Sequence, residues 1–235
     1  MTVLGKISQR PCVTKRELIE KWSGTAGAIT ARIHRAIKQH TLIQLKKGLY
    51  IQTESYFKEP DKVQLTEYLA SQICSPSYMS LEYVLKMHGI LPHQKGKNPI
   101  TSVTTKSTRS FTNPLGEFSY QSLSSSWYEH CANIGIGKME YEGHVYYKAT
   151  KARALFDYLY LHHGLNRRNQ KQLKNQIING LNIEWGNFSD ADLEEFDQCV
   201  WRSNSKKMVD VLAIIRDHLE QRKPNSWLKD VLGIE

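Results

Sequence analysis

Long apolar runs are missing from this chain of 235 residues. One of the longest, Val211–Ile215, is far shorter than the roughly 20 residues of a membrane-spanning helix. The first residues, MTVLGKISQR, also lack the apolar run of a secretory signal. We therefore expect neither a membrane protein nor a secreted one, but a soluble protein of the cytoplasm.

Cysteine is scarce, with four residues in the whole chain. Cys12, Cys74, Cys131 and Cys199 are too far apart for a CxxC or Cys/His zinc pattern. In a cytoplasmic protein, scattered cysteines are expected to be reduced thiols. The sequence therefore predicts no structural metal, no disulfide framework and no cofactor.

Catalytic signatures are also missing. The segment Gly135–Lys138 resembles a phosphate-binding loop, but it lacks the full spacing and the hydroxyl residue after the lysine. Asp190, Asp192 and Glu194 alternate like a calcium loop, yet Glu195 stands where that loop requires glycine. A helix start with acidic residues near its positive end explains them better. We predict no active site and no enzyme.

Acidic residues are absent between Lys21 and Lys47. Residues 1–60 contain 11 Lys or Arg and 4 Asp or Glu, a balance of +7. The remaining 175 residues contain 21 and 19, a balance of only +2. An excess of positive charge at one end indicates a polyanionic partner for that end, such as nucleic acid.

The basic segment has the pattern of a winged helix-turn-helix. Thr14 and Glu17 form a capping-box pair at the start of one helix, and Gly24 allows the turn before the next helix, at about 25–40. Two short strands follow, joined by Lys46-Lys47-Gly48, where the glycine suits a tight hairpin with both lysines at its tip.

The second helix of this pattern has two distinct faces. Ile29, Ile33, Ala36, Ile37 and His40 repeat at helical spacing and predict an inward stripe. The opposite face begins with small residues and continues with long basic ones, which suits insertion into the DNA major groove. We expect the arginines and Lys38 to divide into base readers and phosphate clamps, with the hairpin lysines as clamps. The predicted DNA-binding residues are Thr25, Ala28, Arg32, His34, Arg35, Lys38, Lys46 and Lys47.

The rest of the chain predicts an α+β fold. Residues 1–58 are expected to form the winged-helix domain, 54–61 a linker, and 62–235 a larger mixed domain. In that domain, Ser80 is expected to cap a helix. Alternating segments between 100 and 147 predict a β-meander with turns at 113–116 and 142–143, and helical periodicity returns after residue 150.

A second concentration of positive charge lies at residues 148–174, where Asp157 is the single acid. Residues 184–197 hold six acids and no base. Two interpretations stay open: a basic surface that extends the DNA footprint or binds another polyanion, or two opposite charge groups that pair within the fold. The basic residues are Lys148, Lys151, Arg153, Arg167, Arg168, Lys171 and Lys174.

Three segments carry a family resemblance: SPSYMSLEYVLKMHGILP (75–92), ITSVTTKSTRSFTNPLGEFSYQSL (100–123) and YYKATKARALFDYLYL (146–161). With the Lys-Lys-Gly-Leu-Tyr hairpin, they resemble the AbiEi-type antitoxins of type IV toxin–antitoxin (phage-defence) systems. The resemblance covers about residues 5–165.

The resemblance implies a transcriptional repressor that binds inverted repeats of double-stranded DNA in its own promoter. Its second domain would counter a nucleotidyltransferase-like toxin, with or without a stable complex. One departure stands out: a helix start that reads Pro-Glu-Lys-Ala in the family is Thr150-Lys151-Ala152-Arg153-Ala154 here, so an acidic position has become basic. Alternatives are a stand-alone regulator, a nucleic-acid-processing enzyme recruited by its winged helix, or an RNA-binding adaptor.

Overall fold

A computed structural model describes residues 10–93, 96, 98–124, 134–165 and 167–222. The fold is α+β, as predicted, and the chain forms two compact units. The first unit comprises Met1–Met79, Lys95–Leu123 and Gly137–Lys148, and the second comprises Ser80–Gln94, Ser124–Ile136 and Ala149–Glu235. Val3, Leu4 and Ile7 in the sequence predict a further short helix, and this segment lies outside the described residues.

The first unit opens with five short elements: β1 (Cys12–Thr14), α1 (Lys15–Lys21), α2 (Ala26–Lys38), β2 (Leu42–Lys46) and β3 (Leu49–Gln52). The strands form an antiparallel sheet in the order β1-β3-β2. The predicted capping box is confirmed, because the Thr14 hydroxyl accepts from Glu17 N while the Glu17 carboxylate accepts from Thr14 N. The sequence did not predict β1, which is too short to show a period.

The apolar residues of these elements meet in one core. Leu18 from α1 and Trp22, the residue that follows it, pack with Ile29, Ile33 and Ala36 from α2 in that cluster. The predicted inward stripe is therefore confirmed for the middle of α2.

The prediction for His40 is wrong, because α2 ends at Lys38 and His40 is exposed. His40 has a φ of 54° and donates its N–H to Ile37 O, while Thr41 N donates to Ala36 O. This pair of bonds is a Schellman motif, which requires a left-handed residue and so takes His40 off the helical stripe.

Helices α3 (Thr53–Lys58) and α4 (Lys62–Ile73) follow directly. Most of the predicted linker at 54–61 is helical, and Pro60 lies in the short connection between the two helices. Asp61 caps α4 by accepting from Gln64 N at 2.9 Å. The predicted boundary at 58–62 falls inside the first unit, and independent folding of the segment before it stays a prediction.

A six-stranded sheet completes the first unit, in the order β6-β7-β5-β4-β9-β8. Its strands are β4 (Ser77–Met79), β5 (Ile100–Thr104), β6 (Arg109–Asn113), β7 (Gly116–Ser122), β8 (Ile136–Tyr141) and β9 (His144–Ala149).

Both predicted turns of this sheet are confirmed, but the meander is wrong. Strand β7 lies between β6 and β5 and runs parallel to β5, and β4 runs parallel to β9, so the sheet is mixed. Each parallel pair requires a crossover connection. The turn residues in the sequence do not reveal which two strands such a connection places side by side.

The second unit is helical. Its helices are α5 (Leu81–Met87), α6 (Lys151–Leu161), α7 (Gln170–Asn175), a π-helical turn at Gln176–Gly180, a 3-10 turn at Trp185–Asn187, α8 (Asp190–Ser203) and α9 (Lys206–Arg222). Ser189 and Asp192 form the capping box at α8.

Ser80 precedes α5 as predicted, but its hydroxyl makes no cap bond and instead donates to Asp157 Oδ2 at 2.8 Å. Ser80 is therefore the N-cap residue of α5, as predicted, but it does not cap the helix through its side chain. The buried carboxylate of α6 is the stronger acceptor for this hydroxyl.

Candidate nucleic-acid interface

Helix α2 separates its apolar and basic residues by face. Ile29, Ile33 and Ala36 are buried, whereas Arg32, Arg35 and the other long polar residues are exposed. The burial of one stripe fixes the orientation of the helix, so the opposite stripe must face solvent.

Three cations, Arg32, Arg35 and Lys38, lie on this exposed side and are called the α2 cations below. None of them forms an ion pair with another residue that the structure describes. The Arg32 guanidinium lies 4.2 Å from the centre of the Trp22 ring, which restricts its motion without neutralising its charge. Sequence analysis did not predict this contact, because Trp22 lies before the turn. His34 is exposed as well.

The start of α2 has small exposed side chains and a capped N-terminus. Gly27, Ala28 and Ala31 are exposed and have no side chain beyond a methyl group, so another molecule can approach the backbone closely. The Thr25 hydroxyl accepts from Ala28 N at 3.3 Å and thus caps the helix. Thr25 therefore holds the helix terminus in place, and its hydroxyl is engaged before any ligand arrives.

At the hairpin after α2, the two adjacent lysines differ sharply. Lys47 is exposed next to Gly48, whose φ of 84° permits the tight turn. The prediction that Lys46 projects at the tip is wrong: its Nζ donates to Ile73 O at 2.6 Å, and Gln72 O is 3.5 Å away. The last carbonyls of α4 lack helical partners and carry negative partial charge, so they attract the ammonium group.

Positive charges from outside the β2–β3 hairpin also lie near Lys46. Burial lowers the pKa of Lys46, and the positive charges of Lys106 and Arg109 lower it further. Both of these residues are exposed and belong to the connection between β5 and β6 and to β6 itself. Sequence reasoning missed them, because they lie some 60 positions from the hairpin.

The basic residues at 148–174, called the 148–174 cations below, are mostly engaged within the protein. The shortest contacts of the exposed pairs are 2.7 Å and 2.6 Å, formed with acids of α9. The observed pairs are Lys148–Glu67, Lys151–Asp192, Arg153–Asp157, Arg167–Asp210 and Lys174–Asp217.

The two interpretations of these cations can now be weighed. Pairing within the fold is favoured, although only Asp192 among the partners comes from the acidic stretch 184–197. Lys148 belongs to the first unit and the other six to the second. Lys171 is exposed and forms no ion pair with a described residue.

Arg153 contradicts its prediction most clearly, because it is fully buried rather than on a basic surface. Its Nε donates to Asp157 Oδ1 at 2.9 Å, and its Nη1 donates to Ile134 O at 3.0 Å. Burial of a guanidinium is tolerated only when its charge and donors are satisfied, which this carboxylate and carbonyl achieve. Arg153, Asp157 and Ser80 thus form a buried polar network that joins α6 to the start of α5.

Two further features can be checked in the described ranges. Those ranges contain no group of three or more His, Cys, Asp or Glu side chains placed to bind a metal ion. They also contain no helix with the length and apolar character to span a membrane.

Comparison with known proteins supplies no identity. No protein-family model matches the chain, and no curated protein sequence matches it significantly.

Proposed function

We propose that residues up to about 58 form a winged helix-turn-helix that binds double-stranded DNA, with α2 in the major groove and the β2–β3 hairpin as the wing. One observation carries the proposal: the α2 cations are exposed and form no ion pair with any described residue, and they lie beside the small residues Gly27, Ala28 and Ala31. Phosphates and base edges offer the acceptors that such cations lack within the fold.

The hairpin contributes less than its two lysines suggest. Lys47 is available as a phosphate clamp, while Lys46 is engaged by α4. Four cations per chain (Arg32, Arg35, Lys38 and Lys47) then remain for DNA. If two to four of them neutralise phosphates, log affinity falls with log salt concentration at a slope between about −2 and −4 per bound copy.

The biological role we propose is that of a cytoplasmic repressor that autoregulates its operon and acts as a type IV antitoxin. The support is the resemblance at residues 75–161. Two of its motifs meet in one network, because Ser80 of the Ser-Leu-Glu element donates to Asp157 of the Ala-Leu-x-Asp helix. Lys151, at the departure from the family pattern, pairs with Asp192 at 2.6 Å. A stand-alone regulator is the alternative.

Fluorescence anisotropy tests DNA binding. A labelled duplex from the region upstream of the gene is compared with a shuffled duplex of equal composition, at salt concentrations from 50 to 300 mM. We expect preference for the upstream duplex and a steep loss of affinity with salt. Equal affinity for both duplexes, or binding independent of salt, would contradict the proposal.

The antitoxin role needs a separate test on the full chain, because the first unit contains segments from three parts of the sequence. Cells expressing the gene encoded next to this one are rescued, or not, by the parent or by the triple variant R32A/R35A/K38A. We expect the triple variant to lose repression of a promoter reporter and to keep the rescue. Failure of the parent to rescue would favour the stand-alone regulator.

A further inference from the structure

A cavity of about 540 Å³ lies in the first unit, beside the C-terminal end of α2. Four elements surround it: the end of α2, strand β2, helix α3 and the turn between β6 and β7. Its volume is within the range of small-molecule sites in proteins. The residues lining it are Ile37, His40, Leu42, Ile43, Gln44, Thr53, Tyr56, Phe57, Pro114 and Leu115.

The walls are mostly hydrocarbon and aromatic rings. Tyr56 and Phe57 pack edge to face with ring centres 5.6 Å apart, and Phe57 is 65% exposed. No Lys, Arg, Asp or Glu is found among the described residues that line the cavity. An uncharged ligand suits such walls, because a charged group would lose its hydration without gaining an ionic partner.

Thr53, one of the lining residues, carries an unsatisfied polar atom. The Thr53 hydroxyl oxygen is buried, and within the described part of the chain it has no hydrogen-bond partner. A buried hydroxyl without a partner loses its hydration uncompensated, and such groups are few in folded proteins. A ligand with one hydrogen-bonding group at this position would supply the missing partner.

The floor of the cavity is held firmly. Thr53 N donates to Thr41 O at 3.1 Å, and Thr41 N closes the Schellman motif on Ala36 O. On the opposite side, Leu115 N donates to Asn113 Oδ1 at 2.8 Å. These bonds fix the backbone on two sides of the cavity.

We propose that this cavity is a binding site for a small, uncharged aromatic molecule with a single hydroxyl or comparable hydrogen-bonding group that meets Thr53. Ile37 and His40 belong to the end of α2 and to its terminal motif, so an occupant contacts the helix that carries the α2 cations. Its effect on DNA affinity rests on the proposed function, whereas binding itself does not.

Two fluorinated probes test the site directly: 4-fluorophenol, which has the hydroxyl, and fluorobenzene, which lacks it. Binding is measured by ¹⁹F NMR line broadening during titration with the full chain, without DNA. We expect both probes to bind and 4-fluorophenol to bind about fivefold more tightly, the factor typical of one neutral hydrogen bond.

Two variants assign the contacts. Thr53→Val keeps the shape and loses the hydroxyl, so it should remove the difference between the probes. The Thr53 hydroxyl makes no hydrogen bond with any described residue, so the variant loses none. Its melting temperature should therefore be no lower than that of the parent. Leu115→Trp fills the cavity from its half-buried turn and should weaken both probes at least tenfold. Val209→Trp, exposed and in the second unit, is the matched control and should bind like the parent.

The outcomes separate the claims. No broadening of either probe by the parent, or equal binding by parent and Leu115→Trp, overturns the site. Equal affinities of the two probes for the parent overturn the role of Thr53. Anisotropy with the upstream duplex is then repeated with saturating 4-fluorophenol. A change in affinity for the parent but not for Leu115→Trp supports coupling to α2, and no change overturns the coupling alone. Absence of DNA binding without any probe is a failure of the proposed function only.

Discussion

The α2 cations and the 148–174 cations look alike in the sequence and differ completely in the structure. The three cations on α2 face solvent and have no acidic partner in the part of the chain that the structure describes, while five of the seven others are paired with a carboxylate. The difference arises from where the acids are: none lies between Lys21 and Lys47, whereas α8 and α9 bring several to the second unit. Positive charge indicates a polyanion partner only when the fold leaves it unpaired.

The pairs of the second set also differ among themselves in what they contribute. Arg167–Asp210 and Lys174–Asp217 have side chains about half exposed or somewhat less, and such pairs contribute roughly 0–1 kcal/mol each. Arg153–Asp157 is fully buried, so removing one partner leaves an uncompensated charge in the interior and is strongly destabilising. The comparison between the two sets can therefore be sharpened by stability as well as by DNA binding.

The largest expected effect is on folding. Arg153→Met leaves Asp157 buried with the Ser80 hydroxyl as a donor but without its cation, so we expect the free energy of unfolding to fall by about 3–5 kcal/mol. Urea denaturation followed by circular dichroism measures this.

Two companion variants test the reason for that loss. Lys171→Met, on an exposed cation of the same set, should change stability by less than about 0.5 kcal/mol. The double variant R153M/D157L should be more stable than Arg153→Met alone, because it removes the unpaired charge. A double variant that is less stable than the single one would show that the carboxylate is satisfied without Arg153.

The next effect in size is on DNA affinity. Replacing Arg32 or Arg35 by alanine should cost about 1–3 kcal/mol of binding free energy if the residue reads a base, with relaxed preference at one position. Arg167→Ala is the matched control, because its side chain pairs with Asp210 and should not affect binding. Anisotropy with the upstream duplex measures both. Equal loss in Arg167→Ala and Arg35→Ala would erase the distinction between the two sets.

The adjacent hairpin lysines reproduce the comparison on a smaller scale. Lys46→Met should lower the free energy of unfolding by about 1–2 kcal/mol, since a half-buried ammonium leaves the α4 carbonyls, and should not alter the salt slope. Lys47→Met should leave stability unchanged and reduce the salt slope by about one. Urea denaturation and anisotropy on both variants measure the stability and the salt slope. A reduced salt slope in Lys46→Met but not in Lys47→Met would mean that Lys46 leaves the α4 carbonyls to bind DNA.

Sequence reasoning succeeded where local chemistry decides the structure. Thr14 with Glu17 predicted one helix start, because a cap and its partner lie three residues apart, and the acids Asp190 and Asp192 predicted another. It failed where distant residues decide. Lys46 is held by Ile73, 27 positions away, and the parallel pairing of β5 with β7 cannot be read from alternation within either strand.

The candidate site was predictable to the same extent. The exposed face of α2 follows from its period, since buried Ile29 and Ile33 fix which side faces solvent. The stacking of Arg32 on Trp22 and the cavity around Thr53 could not be predicted. Each depends on how side chains from separate elements pack against one another, which the period of a single element does not show. The sequence alone could not decide between the two interpretations of the 148–174 cations for a related reason: Asp210 and Asp217, the partners of Arg167 and Lys174, lie 43 positions further along the chain.

The smallest expected effect is on the pH dependence of stability, through the influence of the paired cation Lys174 on a nearby histidine. His218 lies on α9, with its ring 5.9 Å from Trp185. Burial lowers the pKa of His218 below its ordinary value of 6.5, and the charges of Arg222 and Lys174 lower it further against the attraction of Asp217. Lys174, although paired with Asp217, thus still acts on its neighbours within the fold.

The direction of the pH dependence follows from that shift. Because the pKa of His218 is lower in the folded protein, the unfolded chain takes up a proton at a pH where the folded protein does not. The stability that the neutral imidazole contributes is therefore present above pH 6.5 and is lost as the pH falls through that value towards the folded pKa. Urea denaturation at pH 7.5, 6.5 and 5.5 should show this loss in the parent. His218→Phe, which keeps a ring against Trp185, should show less of it. Lys174→Gln should fall between them, because one of the charges that lowers the pKa is gone. Partial exposure of His218 keeps the differences small, and identical pH profiles of the parent and His218→Phe would contradict the assignment.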